Sequence, residues 1–240
     1  MAGYLSEPQV MMRTRNGEII DDFREAYHWL RDKTPEDSRV MAWWDYGYQI
    51  NGIANRTTIA DGNTWNHEHI ALLGRALVSS EETGHAIARH LADFVLIWTT
   101  RFAEIGANGD DLAKSPHMAR IAGSVFADIN PKDFFMNRDG TPSSMMKESL
   151  LYRLHAYKLK MVENEETGDL EPELPEGSLE YFEEVYTTSR KMVRIYRVKK
   201  VSRKSKEWCN EAKNRELDGR GKYPPAIESV LTKMKAFQRQ

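Results

Sequence analysis

Cysteine, long apolar runs and an excess of charge of either sign are all missing from this chain. Cys209 is the single cysteine among 240 residues, so no disulfide forms within the chain and the redox compartment is not legible from it. No stretch approaches the roughly 18 to 20 consecutive apolar residues of a membrane helix. The best run, Phe94 to Trp98, is only strand-sized, and residues 1 to 20 lack the apolar core of a signal peptide. The expectation is a soluble segment. A net charge of −2 gives no electrostatic reason to invoke nucleic acid or an anionic membrane. Internal repeats, a Gly-rich phosphate loop, a nucleophile elbow and a Ser/His/Asp arrangement are absent too, which leaves an independent soluble enzyme as the least supported reading. What is present is 40% apolar and 10% aromatic residues, enough for one sizeable core: one domain over residues 1 to 198, with a polar tail from 199 to 240.

The stretch that stands out is Trp43-Trp44-Asp45-Tyr46-Gly47-Tyr48. Each indole carries an obligatory donor and the carboxylate resists burial, so something polar should meet them. Two indole N–H groups and one carboxylate match the two lone pairs and one hydrogen of a Ser or Thr hydroxyl. A site built on that match rejects a partner lacking the hydroxyl by roughly 10⁴ to 10⁵. Adjacent tryptophans are equally the pattern of one core ring and one surface ring. Successive side chains of a strand point to opposite faces, so both rings serve one ligand only where the strand ends and the chain turns. Gly47, free to adopt angles other residues avoid, is the expected turning point.

Along the chain, Asp22-Phe-Arg-Glu25 resembles a capping box with Asp22 accepting from first-turn amides. Phe23, Ala26, Tyr27 and Leu30 then fall at helical spacing, predicting a helix to about Arg31. Val40 to Trp44 reads as a short buried strand with the motif at its C-terminal end, where open α/β sheets hold ligands. A short helix to Asn55, a strand over 57–60, helices over 69–78 and 82–91, and a central strand over 93–99 follow. This alternation predicts a mixed α/β fold, a partly parallel central sheet with helices packed on it. An amphipathic helix is expected from Ser143 to Lys160, an exposed, mobile loop from Asn164 to Ser178, a C-terminal hairpin over 182–188 and 192–199, a solvated polar stretch to Lys222, and a last helix after Pro224-Pro225 to about Phe237.

Asp111, Lys114 and Met118 form a second constellation. Their offsets share one face of an unbroken helix, but Pro116 intrudes: either a helix starts at Ser115 with Pro116 in its first turn, or the helix is kinked there. Lys114 suits pairing with Asp111 or Asp45. Met118 suits a threonine methyl, favouring Thr over Ser by about 0.8 kcal/mol. The competing reading is a surface ion pair beside a core methionine. His67-Glu68-His69 lacks a third ligand nearby and is read as a helix start rather than a metal site. Asn55-Arg56-Thr57 is a glycosylation sequon, with a buried, unmodified Asn as the competing reading. Tyr48 reads as a half-buried tyrosine on the strand-end turn.

Trp43-Trp44-Asp45-Tyr46-Gly47, with Asp22-Phe-Arg-Glu-Ala-Tyr-His-Trp-Leu-Arg, Thr34-Pro-Glu-Asp, Ala54-Asn-Arg-Thr, Asn63-Thr-Trp-Asn, Glu184-Val-Tyr-Thr-Thr and Val193-Arg-Ile-Tyr-Arg-Val in order, resembles the catalytic subunit of eukaryotic oligosaccharyltransferase over about residues 10 to 200. Asp111-Leu-Ala-Lys114-Ser-Pro-His-Met118 resembles that family's DK motif. The resemblance implies transfer of a dolichyl-diphosphate-linked oligosaccharide to Asn-X-Ser/Thr acceptors at the lumenal face of the endoplasmic reticulum membrane, alongside other oligosaccharyltransferase subunits. It implies that Trp43, Trp44, Asp45, Met118, Lys114 and Asp111 bind the acceptor peptide, that Tyr46 and Gly47 support the motif, and that Tyr48 lies toward the donor. The family's large membrane bundle is missing here, so the expectation is a C-terminal lumenal domain that was excised, truncated or separately encoded. Mn²⁺ or Mg²⁺ serves the complete enzyme; this chain has no Asp-X-Asp and is expected to bind no metal and to be inactive alone. The alternative is a non-catalytic peptide-binding or assembly domain retained without the membrane part.

Overall fold

The computed structural model describes residues 11–13, 16–99, 111–138, 140–164, 168–211, 214 and 223–229. A short antiparallel pair, β1 (Met12–Arg13) with β2 (Ile19–Ile20), leads into helix α1 (Asp22–Lys33). The apolar stripe of α1 is buried as its spacing predicts, through Phe23, Ala26, Tyr27 and Leu30. Its start differs from the expected capping box. The Asp22 carboxylate is fully buried and accepts from the Arg190 amide at 3.0 Å, so it ties α1 to a distant turn instead of capping its own helix.

The central sheet contains β3 (Arg39–Met41), β4 (Thr57–Thr58), β5 (Phe94–Trp98), β8 (Phe182–Thr187) and β9 (Val193–Val198), in the order β4-β3-β5-β9-β8. β3 is parallel to β4 and β5, and β9 is antiparallel to β5 and β8. The fold is therefore mixed α/β with a partly parallel sheet. All five residues of β5 are buried, so both faces of the sheet are covered there, as a continuous Phe-Val-Leu-Ile-Trp run requires. Helices α2 (Gly47–Ala54), α3 (His67–Val78), α4 (Glu81–Leu91), α5 (Asp111–Gly123), α6 (Ser144–Glu148) and α7 (Leu150–Ala156) fill the connections. No helix among the described residues is long and apolar enough to cross a membrane.

Three expectations change in detail. The helix expected over 143–160 is two helices, broken at Ser149, whose extended backbone restarts the chain as α7. The Ser149 hydroxyl donates to Met146 O at 2.6 Å and accepts from Tyr152 N at 3.2 Å, closing one helix and opening the next. Within the expected loop over 164–178, β7 (Leu170–Pro172) pairs antiparallel with β6 (Met161–Glu163). Beyond the hairpin, helix α8 (Arg203–Asn210) forms where only solvated chain was expected. It is held to the body by His90 Nδ1 and Ser205 Oγ at 2.7 Å and by Lys206 reaching Asp37 at 2.9 Å. Residues 225–229 are helical after Pro224, and the rest of that expected helix lies outside the described residues.

Candidate functional site

β3 stops at Met41, earlier than the expected Trp44, and the chain turns through Trp43 into a single 3₁₀ turn over Trp44–Tyr46. That turn is what lets neighbouring tryptophans stay together. Their rings meet edge to face, centroids 6.5 Å apart and planes at 77°. Trp43 is 2% exposed and belongs to the core, whereas Trp44 is only partly buried. Trp44 Nε1 is itself buried and has no hydrogen-bond partner among the described residues. A donor left in that state costs about 1–3 kcal/mol, so the turn holds a standing demand for an acceptor.

Gly47 is required for a different reason from the one its composition suggests. Its backbone, φ −57° and ψ −42°, is ordinary helix, but a Cβ there would lie 2.2 Å from Ala60 O and 2.5 Å from the Asp61 side chain. Only glycine lets α2 start against the segment leaving β4.

Asp45 reaches the surface, and Lys114 Nζ donates to its Oδ2 at 2.8 Å. The same ammonium donates to the Tyr46 hydroxyl at 3.0 Å and sits 4.8 Å from the Tyr46 ring centroid. Tyr46 in turn donates to Asp111 Oδ1 at 2.5 Å, and Asp111 Oδ2 accepts from the Trp98 amide at 2.8 Å. Burial first, and then the Asp111 carboxylate, push the Tyr46 hydroxyl far above its usual range, so it stays a donor. The Tyr46 ring stacks on Trp98 at 4.0 Å, and Trp98 on Phe23 at 3.9 Å. Two parallel strand ends, β3 and β5, are thus joined to α5 by one chain of hydrogen bonds. Trp98 was not singled out from sequence; a tryptophan closing the most apolar strand was the available signal.

Helix α5 runs unbroken through Pro116 from Asp111, neither starting at Ser115 nor ending there. Pro116 has no N–H for Leu112 O, and the Ser115 hydroxyl donates to that carbonyl at 2.6 Å instead. Asp111, Lys114 and Met118 therefore share a helix, but not a role. Asp111 is 1% and Met118 0% exposed. Met118 packs at the close approach of α5 to α3, where a Cβ on Gly74 would lie 3.0 Å from Met118 O. Both side chains, expected from the motif to meet an acceptor peptide, are buried in this arrangement. Lys114 alone of the three meets Asp45. Tyr48 is 53% exposed, with its ring over Gly62.

The paired histidines are occupied by other partners. His67 Nε2 meets Ser124 Oγ at 2.8 Å, and His69 spans Tyr223 OH at 2.9 Å and Ile59 O at 2.6 Å. Burial pushes the His69 imidazole down, against the raising effect of Ile59 O. Among the described residues no three His, Cys, Asp or Glu side chains converge as metal ligands, so the divalent ion implied by the resemblance finds no fitting donor set there. Of the two readings of Asn55, burial is the one the structure does not show: Asn55 is exposed and caps α2 with φ 50°, and Thr57 is exposed on β4.

Fold and site together define a mixed α/β domain with a polar turn at the ends of its parallel strands. Residues 36–198 match the family model described as the STT3/PglB/AglB core domain. The chain is 41% identical over 215 residues to the dolichyl-diphosphooligosaccharide–protein glycosyltransferase subunit stt-3 of Caenorhabditis elegans, covering 82% of this chain and 28% of that protein. It is 41% identical over 212 residues to subunit STT3 of Saccharomyces cerevisiae, covering 81% and 29%. Among solved structures, the C-terminal globular domain of an Archaeoglobus fulgidus oligosaccharyltransferase aligns with TM-score 0.48 and 19% identity over 76% of this chain and 99% of that one. The chain belongs to the STT3/PglB/AglB core-domain family. It spans under a third of the length of the curated relatives it matches.

Proposed function

We propose that this chain is the acceptor-reading part of an oligosaccharyltransferase, recognising the hydroxyl of an Asn-X-Ser/Thr sequon so that a lipid-linked oligosaccharide can be transferred to the asparagine. The observation that carries the reading is the buried, unpartnered Trp44 Nε1 beside Asp45. One oxygen of Asp45 is fixed by Lys114, which leaves the other to accept from an incoming hydroxyl that Trp44 can in turn serve as donor. The named activity of the relatives supports the same reading. Trp43 backs the Trp44 ring, Lys114 orients Asp45, and Tyr46 with Asp111 hold Lys114 and the end of β5. Tyr48, exposed one residue beyond Gly47, is the residue of the turn best placed to donate toward the lipid-linked donor.

Attack by an amide nitrogen is difficult because its lone pair is delocalised. The transfer therefore needs carboxylates on the amide and a hard cation, Mn²⁺ or Mg²⁺, on the departing diphosphate. In this proposal those groups belong to another part of the full-length enzyme, at the lumenal face of the endoplasmic reticulum membrane, and the present segment does not turn over alone. The test is a titration of Asn-Ala-Thr against Asn-Ala-Ala peptides, by binding to this chain and by transfer with the full-length enzyme. A preference for the threonine peptide that falls about tenfold in Trp44→Phe is expected; equal transfer to both peptides by the unaltered enzyme refutes the reading.

A further inference from the structure

Asn55 is the only asparagine of the chain with Ser or Thr two places on, and Arg56 between them is compatible with modification, since only proline is barred there. The fold decides the rest. Asn55 closes α2 in the left-handed region, φ 50° and ψ 46°, which asparagine tolerates better than most residues other than glycine. Its side chain is exposed and makes no hydrogen bond among the described residues. The amide nitrogen is thus uncommitted, and a group attached to it enters solvent without displacing a core side chain. Thr57 is exposed as well, on β4, and its hydroxyl is likewise unbonded among the described residues. β4 ends the central sheet and pairs with β3 through Thr57 and Thr58.

Arg56 is held differently. It is 4% exposed, and its guanidinium donates to Arg31 O and Thr34 O at 2.6 Å, to Asn55 O at 2.8 Å and to Thr34 Oγ1 at 2.9 Å. The middle of the tripeptide is therefore riveted to the end of α1. Two places past Thr57, Ile59 N donates to Val40 O at 3.2 Å and holds the segment on β3. A transferase that grips the hydroxyl of Thr57 and the amide of Asn55 in one groove has to draw this segment out, breaking those bonds and stranding a buried guanidinium. The folded product accommodates a modified Asn55, whereas the folded chain is a poor acceptor.

From this we infer that Asn55 is an N-glycosylation site of this chain, filled before β4 docks on β3. In that step Asn55 Nδ2 forms a bond to C1 of the first sugar of a lipid-linked oligosaccharyl diphosphate. The C1–O bond breaks, its electrons leave on the diphosphate, and the amide proton passes to a base of the transferase. The chain is then itself an acceptor of the reaction class proposed above. Its lumenal placement rests on that proposal; the modification does not depend on what Trp44 and Asp45 recognise.

The experiment directs the 240-residue chain into the secretory pathway of a eukaryotic host with an added leader, and appends an unstructured Asn-Ala-Thr tail that reports entry into the lumen. Intact mass before and after glycopeptidase treatment counts the glycans. Two are expected on the parent and on Thr57→Ser, and one on Asn55→Gly and on Thr57→Val. Glycine suits the positive φ of residue 55 and valine keeps a β-branched side chain on the strand, so both variants should fold. A parent that carries the tail glycan alone overturns the assignment. Because the leader supplies the placement, that result leaves the acceptor-reading proposal standing. The order of events is tested on chain made in a host without N-glycosylation, offered to microsomal transferase with lipid-linked donor. A peptide of residues 50–61 is expected to be modified at least about tenfold faster than the folded chain; equal rates overturn the order.

Discussion

Glu184 on β8 and Arg194 on β9 make a carboxylate–cation contact inside the molecule, and Asp45 with Lys114 makes one at its surface. Arg194 is 1% exposed. Its Nε donates to Glu184 Oε1 at 2.9 Å and its Nη1 to Leu154 O at 2.9 Å, while Thr187 Oγ1 donates to the same carboxylate. That network is closed by its neighbours on three elements. The Asp45 network is braced as thoroughly from behind, by Tyr46, Asp111 and the Trp98 amide, yet ends at a half-open carboxylate beside an indole N–H that has no partner among the described residues. The difference separates a structural ion pair from a site: both position charge, and only one leaves hydrogen-bonding capacity unspent.

The sharpest break in this comparison is Arg194→Met, which leaves Glu184 only the Thr187 hydroxyl and the Lys158 ammonium at 3.6 Å and should cost up to about 3 kcal/mol in urea unfolding, with the Trp43–Trp44 turn intact in what remains folded. The closed network also carries a pH signature. Burial alone would raise Glu184, but the Thr187 hydroxyl and Arg194 outweigh it and hold the carboxyl below its usual range. A carboxyl depressed in the folded state adds stability above its ordinary value of 4.5, and that share is lost as pH falls through the lower folded value. An acid titration of stability should show a smaller loss in Arg194→Met than in the parent, because the Thr187 hydroxyl and Lys158 still act on the carboxyl.

Asp111→Asn replaces an acceptor of two hydrogen bonds and should cost about 1.5–3 kcal/mol. It should also weaken peptide binding by loosening Lys114, an effect that an Asp111 role confined to folding would not produce in the surviving native fraction. Trp44→Phe should leave stability within about 0.5 kcal/mol, since it removes an unsatisfied donor, while reducing the threonine-over-alanine preference about tenfold. Loss of stability without loss of preference would place Trp44 with the closed network instead. The smallest effect belongs to Lys114→Met. Its pair with Asp45 is 24% and 36% exposed, so stability should change by less than about 1 kcal/mol, and the salt dependence of peptide affinity should flatten.

Much of the architecture could be read along the chain. The stripe Phe23, Ala26, Tyr27, Leu30 gave α1, and the Phe94–Trp98 run gave a central strand. The alternation of strand and helix anticipated a partly parallel sheet, in which β3 pairs parallel with β4 and β5. Local signals misled where distant partners competed for the same group. Asp22 looked like a cap because Glu25 follows it three places on, but the Arg190 amide claims its carboxylate. Ser149 interrupts what amphipathic spacing made one helix, because Leu150 N is taken by Ser79 O at 2.7 Å across the fold. Pro116 looked like a boundary because no neighbour-based rule includes a serine hydroxyl replacing the missing N–H.

The site divides along the same line. Residue types fixed the inventory: two indole donors, a carboxylate, a lysine and a second acid, in an order that marks the family. Tertiary packing decided which of them face a ligand. It sent Trp43, Asp111 and Met118 inward and left Trp44, Asp45 and Lys114 at the rim. The physical reason is that hydrogen-bonding capacity is a property of a side chain, but whether it is spent depends on what the folded chain places within about 3 Å of it.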